Sequence, residues 1–479
     1  MRDFVLFNSK NQKLIINLLL MFCVYIIPKV FSFFLIPIYT ACLTANEYGV
    51  SDLIASTASL IIPFVSLATP NAVMRYTIED NSDKRPFQIS LKISMIGFSI
   101  LAIVLLGVYF VFSIDRLYLV FLLLTCIFSI ITDINLSYSR GVEKMSAVTI
   151  CGVGGSLTML VCNIIFIVYF KWGLFGFLLA SISGYIFQIV SLTIMNYSNH
   201  LYKNFFDFDI PFTKEMLGFS IPLIFSGLSW WALSSSDRYF VTIMCGTAAN
   251  GIYSVAYKIP TILQSVDNVF GQAWIFTVYD SYKDEDGKKY IRTINEFYIF
   301  IICLVGSLLI SLDITISKFL YAKEFFLAWK YVPLLVIAVV FSACGGLMAI
   351  YISIYKKTKA AMLINTMAAL LNILLNFILI YFFKDAIGAA IATVITFFCT
   401  WLANTLVGKK ISGIDANLPK CIFMYSILFL QVLILLYTES EILTFIGVLF
   451  LLAININNLK ILYRKIYAKI SSIRSKIRQ

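Results

Sequence analysis

The sequence predicts an all-α polytopic membrane protein with 14 transmembrane helices, and three observations predict it. Of its 479 residues, 60% are hydrophobic and only 13% charged, against roughly 25% charged in a soluble globular chain. The apolar residues fall in long continuous runs, each near the ~20 residues that a helix needs to cross a hydrocarbon core about 30 Å thick. The charged residues collect between the runs. Continuous runs argue for helices, which satisfy their own backbone in lipid, and against a β-barrel built from short alternating segments.

The first run, 14–39, follows MRDFVLFNSKNQK and has no small-residue cleavage site, so it reads as a membrane helix rather than a removed signal peptide. Lys29 sits in it beside Pro28. The second run, 49–73, has Asp52 close to its start, where a carboxylate complements the helix dipole. Arg75 and Glu79 beyond it are spaced as a surface pair. Runs 89–112 and 117–137 follow, and Asp133 and Arg140 lie two turns apart on one face. The fifth run, 147–169, carries Gly152, Gly154 and Gly155, which permit close helix approach. With no preceding strand and no following Lys-Ser/Thr, these glycines form no nucleotide loop. The sixth run is 173–195. Runs seven and eight, 216–242 and 249–276, contain Asp237, Arg238, Lys258 and Asp267. The rest are 293–312, 331–354 (with Gly345 and Gly346), 360–382, 386–407, 420–437 and 442–458.

If the N-terminus is cytoplasmic and the sides alternate, 28 of the 37 Lys and Arg residues fall in cytoplasmic segments and 6 in outer loops. That asymmetry predicts both termini inside. The net charge of +12 is therefore a topology signal and requires no nucleic-acid partner, while the basic tail also suits anionic membrane lipid. The 10 cysteines are scattered through apolar runs without a C-x-x-C, as packing residues. The single histidine, His200, lies in a polar loop, and no metal centre or other cofactor is expected.

One phrase occurs twice. Asn163–Lys171 reads NIIFIVYFK and Asn376–Lys384 reads NFILIYFFK. The first closes run five and the second closes run eleven, so an even number of spans separates them. Lys144 pairs with Lys357, and Gly173-Leu-Phe-Gly176 with Ala386-Ile-Gly388 after a one-residue gap. PIYTACLTANEYGV (Pro37–Val50) likewise aligns with YFVTIMCGTAANGI (Tyr239–Ile252), Gly49 matching Gly251. The sequence thus predicts two parallel-repeat six-helix lobes, 1–200 and 201–412, followed by an appendage, 413–479, of two helices and a basic tail. Parallel repeats of this kind carry substrate between their halves.

Ionisable groups inside spans cost about 2.5–3.5 kcal/mol each at a helix centre. Lys29, Asp52, Asp133, Asp237, Arg238, Lys258 and Asp267 are therefore expected to face water or one another. Five of the seven lie in the opening pairs of the two lobes, which points to one cavity. Arg238, Lys258 and Lys29 are the expected anion ligands. Asp267, Asp237 and Asp52 are the candidates for coupling to H+ or Na+.

ANEYGVSDLIAS (Ala45–Ser56), FSIPLIFSGLSWWALSSSDRYFV (Phe219–Val241), ANGIYSVAYKIP (Ala249–Pro260) and the two Asn-to-Lys helix ends resemble the polysaccharide transporter branch of the MOP exporter superfamily, which contains the Wzx-type O-antigen and capsule repeat-unit flippases. The resemblance covers nearly the whole chain. It implies a MATE-like fold and export of undecaprenyl-diphosphate-linked oligosaccharide to the outer leaflet of the bacterial inner membrane, by alternating access, for a polysaccharide polymerase and chain-length machinery. An Arg or Lys in a low-dielectric cavity suits a diphosphate. A lipid II flippase and a cation-coupled drug antiporter share the fold. A membrane glycosyltransferase or polymerase would need a sizeable polar loop with acidic or His residues, and the loops here are short.

Overall fold

A computed structural model describes residues 24, 26–112, 114–197, 201, 209–282, 285–415 and 417–456. The start of the first run, His200 and the basic tail lie outside the described residues. The helices are α1 (Ile26–Cys42), α2 (Ala45–Val65), α3 (Thr69–Glu79), α4 (Arg85–Phe112), α5 (Arg116–Gly141), α6 (Met145–Asn163), α7 (Gly173–Met195), α8 (Ile210–Cys245), α9 (Thr247–Ala256), α10 (Pro260–Ser281), α11 (Glu285–Ser311), α12 (Asp313–Leu320), α13 (Val332–Ile354), α14 (Thr358–Phe383), α15 (Ile387–Ser412), α16 (Leu418–Thr438) and α17 (Glu441–Ile454). A π-helical stretch, Ile164–Tyr169, prolongs α6, and a 3-10 helix, Lys323–Lys330, precedes α13.

Eleven of these segments are long and apolar enough to cross a membrane, and α1 and α17 are shorter apolar helices. The eighth expected span differs. It is broken into α9 and α10 by a turn at 257–259, because Pro260 has no N–H for the carbonyl one turn back and its ring collides with that carbonyl. The second expected span also stops early. α2 ends at Val65, and Leu67 and Ala68 take positive φ values of 48° and 52° before α3 begins.

Two compact units emerge from the contacts. The first holds residues up to Ser254 together with Tyr321–Phe325, and the second holds 255–320 and 326 onward. The division falls inside α9 rather than near residue 200, because α8 packs on α2 and α3 of the first unit. Contact units and duplication boundary are thus two different partitions of the chain.

In the first unit α5 is the central helix, touching α2, α3, α4, α6 and α7. Ile54, Leu101, Phe121, Leu122, Leu178 and Ile182 fill one of its cores. The segment Tyr321–Phe325 packs on the corner between α1 and α2. Glu324 Oε1 accepts from Ala45 N at 2.7 Å, beside a capping box in which Thr44 and Glu47 cap the same helix start. Phe325 meets Tyr48 edge to face.

In the second unit α13 is buried along most of its length, between α10, α11, α14, α15 and α16. The α16–α17 hairpin is held to α11 by a polar side chain. Gln431 Nε2 donates to Ser311 Oγ at 3.1 Å and to Thr444 O at 2.7 Å. At the start of α12, Asp313 is fully buried and accepts from Ser317 Oγ at 3.2 Å. Burial pushes its carboxyl well above the usual carboxylate range, and Glu441 adds to the rise against the Ser317 hydrogen bond.

A raised folded value means that the folded chain holds this proton more tightly than the unfolded chain. The cost of the buried carboxylate is then absent at low pH and grows as pH climbs above the free Asp value near 4. Asp313→Asn is therefore expected to gain thermal stability over wild type at about pH 8 while matching it near pH 4.5. Melting of the purified protein at both pH values checks this, and an offset independent of pH would contradict it.

The repeated phrase has matching geometry in the two units. Glu143 and Lys356 take φ 59° and 57° at the turns before α6 and α14. Lys144 N donates to Ser139 O at 2.9 Å, and Lys357 N to Ile352 O at 3.0 Å. Asn163 and Asn376 are both fully buried. Lys171 and Lys384 end the helices with φ 56° and 52°. In each hairpin the following glycine lies against backbone three residues past the Asn, Gly176 on Phe166 and Gly388 on Leu379.

Candidate functional site

The ionisable residues of α2 and α8 come together in the first unit. Asp52 and Ser56 are one turn apart on α2, so they share a face. Trp231 and Arg238, two turns apart on α8, meet that face. Arg238 Nη1 donates to Asp52 Oδ1 at 2.8 Å and to Ser56 Oγ at 3.1 Å, and Trp231 Nε1 donates to Ser56 O at 2.9 Å. Thr57 and Tyr239 add a further hydrogen bond between the same helices.

The short helix α9 completes the cluster. Asn250 and Ser254, again one turn apart, both reach Asp52 Oδ2, Ser254 Oγ at 2.6 Å and Asn250 Nδ2 at 3.3 Å. Asp52 is thus held by a guanidinium, a hydroxyl and an amide. Between them, Tyr253 donates to Asp237 at 2.9 Å. Asp237 is therefore buried and tied to α9 while the adjacent Arg238 turns toward α2.

The reach of α9 depends on glycine. A Cβ at Gly49 would lie 2.1 Å from Thr247 O, and one at Gly251 would lie 1.9 Å from Ala45 O. The two contacts are reciprocal: each glycine meets the carbonyl four residues before the other. This is the pattern that a local twofold relation between two like segments produces, and it uses the register in which Gly49 aligns with Gly251. Backbones this close require small residues at the crossing. They bring Asn250 and Ser254 within reach of Asp52.

The other expected residues lie elsewhere. Lys29 is exposed on α1. Lys258 is half-buried in the turn between α9 and α10, so it does not share a helix with Asp267 as one continuous span would have it. Asp267, on α10, accepts from Tyr298 Oη at 2.5 Å. Asp133 and Arg140 make no ion pair among the described residues, whereas Arg75 and Glu79 pair at 3.3 Å on the surface.

Arg238 and Asp52 keep 21% and 14% side-chain exposure. The pair is partly buried and partly accessible. A cation in this position can exchange its carboxylate for another anion, because the phosphate and carboxylate forks fit a guanidinium alike.

A polysaccharide biosynthesis protein profile matches residues 14–276, which include the whole cluster. The chain belongs to the polysaccharide biosynthesis protein family. No curated protein sequence matches it. Solved structures of similar fold include an inward-facing multidrug resistance MATE transporter of the MOP superfamily, at 14% identity and TM-score 0.66 over 82% of this chain and 95% of that one. They also include the lipid II flippase MurJ in an inward closed conformation, at 14% identity and TM-score 0.65 over 95% of this chain and all of that one. A MOP superfamily transporter from Pyrococcus furiosus, described as having a binding pocket of reversed polarity, matches at 14% identity and TM-score 0.56 over 84% and 96%. This polysaccharide biosynthesis protein is thus a multi-pass membrane protein with the fold of MOP transporters and flippases.

Proposed function

We propose that this protein is a flippase that moves polyprenyl-diphosphate-linked oligosaccharide repeat units from the cytoplasmic to the outer leaflet of a bacterial inner membrane by alternating access, with both termini cytoplasmic. It performs transport and no bond chemistry, and it delivers the repeat unit to polymerising machinery outside. The family match and the likeness to a lipid II flippase support a lipid-linked sugar as cargo.

The observation that carries the reading is the Arg238–Asp52 pair, a partly accessible cation inside a membrane span, held by a carboxylate at 2.8 Å. Asp52 neutralises Arg238. An arriving diphosphate displaces it and takes the guanidinium. Asp52 then keeps Ser254 and Asn250 but loses its countercharge, so the coupling ion, H+ or Na+, is assigned to Asp52. Asp237 and Asp267 each keep a tyrosine hydroxyl as partner.

Arg238→Ala, expressed at wild-type abundance, is expected to abolish surface polysaccharide and to accumulate the lipid-linked intermediate. Full retention of surface polysaccharide would remove Arg238 from the mechanism.

A further inference from the structure

α10 has 22 residues, enough to cross the hydrocarbon core, yet it is absent from the helices apolar enough to do so. The reason is its polar residues, which fall unevenly around an axis that turns about 100° per residue. One face packs into the second unit: Leu263 and Trp274 are buried, Asp267 accepts from Tyr298, and Phe270 stacks on Tyr298 with centroids 4.2 Å apart. A second face is apolar and exposed, with Ile262 at 38% and Val266 at 43%. The third face is polar and carries Thr261, Gln264, Ser265 and Asn268.

Gln264 is half-buried and Asn268 exposed, and neither amide has a hydrogen-bond partner among the described residues. A Cβ built at Gly271, on the same side, would meet nothing within 4 Å. An amide turned toward lipid without a partner loses several kcal/mol. This face therefore suits water or a polar ligand rather than lipid.

The chemistry of the face selects the ligand. Asp267 is the only charged residue between 260 and 275, and it is engaged on the packing face. A neutral surface of amides does not compete for a diphosphate. It does match hydroxyl groups, since an amide both donates and accepts as a hydroxyl does. α10 also lies almost wholly within the region matched by the family profile.

We infer that Gln264 and Asn268, flanked by Thr261 and Ser265, form a sugar-contact face that takes the hydroxyls of the oligosaccharide head group. This inference rests on the flippase reading and assigns to α10 the hydroxyl-bearing part of the substrate.

The test uses the full-length protein, purified, with two probes: undecaprenyl diphosphate, and the lipid-linked intermediate extracted from cells lacking this protein. Wild type is expected to bind the sugar-bearing lipid at least about tenfold more tightly than the bare diphosphate. Gln264→Ala/Asn268→Ala is expected to bind both probes alike, with affinity for undecaprenyl diphosphate unchanged. Gln264 is half-buried, Asn268 is exposed, and both are unpartnered among the described residues, so the unchanged bare-diphosphate affinity serves as the folding control, with Asn268→Gln as the conservative variant that restores the preference. A double variant that keeps the wild-type preference, or a wild type without one, overturns the sugar-contact face. Failure of the flippase reading looks different: wild type then binds neither probe.

Discussion

Gly251→Ala is expected to lower the stability of the folded protein by about 3 kcal/mol or more and to leave little of it recoverable from membranes. The added methyl would stand 1.9 Å from Ala45 O and 3.0 Å from Gly49 N. Both are backbone atoms in the first turns of α2, so no side chain can rotate away. α9 must lift from α2, and Asn250 and Ser254 then leave Asp52. Gly49→Ala meets Thr247 O in the same manner and is expected to behave alike. Gly107→Ala, where a Cβ meets nothing within 4 Å, is the control and is expected to fall within about 0.5 kcal/mol of wild type. Melting of the three variants in detergent checks this. Equal melting of Gly251→Ala and Gly107→Ala would show that the α2–α9 crossing is looser than described.

The fold was legible because the bilayer fixes the length of its elements. Apolar runs of about 20 residues were enough to give most of the spans. The likeness of the two Asn-to-Lys helix ends was legible from Asn163 and Asn376, both buried, and from Lys171 and Lys384, both left-handed. The break at 257–259 was hidden, because the run stays largely apolar across it and a proline inside a membrane helix more often kinks than cuts. The contact boundary inside α9 was hidden as well, since it is set by packing between helices far apart in the sequence.

The site was half legible. Arg238 and Asp52 each stood out as charges within spans, but nothing in the sequence joined two residues 186 positions apart. Asn250, Tyr253 and Ser254 lay in a stretch that resembles the family, yet a hydroxyl and an amide one turn apart commonly bond to their own helix and give no signal of a partner.

The second large effect separates a structural from a functional Arg238. If the guanidinium only neutralises Asp52, removing both charges should cost little. Truncating one member of a partly buried pair strands the other charge, at up to about 3–5 kcal/mol for a fully buried pair and less at this exposure. Arg238→Ala and Asp52→Ala are therefore each expected to reduce protein abundance, and Asp52→Ala/Arg238→Ala to recover most of it. Export is expected not to recover, because the diphosphate contact is gone. Arg238→Lys keeps a charge but not the fork, and is expected to retain a small part of export. The cycle is measured as membrane abundance and surface polysaccharide in the same cells. A double variant that restores both would reduce the pair to a structural strut.

The proposed function is movement of a lipid-linked oligosaccharide across a bilayer. The most direct measurement places the purified protein in vesicles loaded with that lipid and follows the accessibility of its sugar to a membrane-impermeant reagent. The account predicts that sugars of the inner leaflet become accessible with wild type and stay protected with Arg238→Ala. Equal accessibility with wild type and with protein-free vesicles would contradict it.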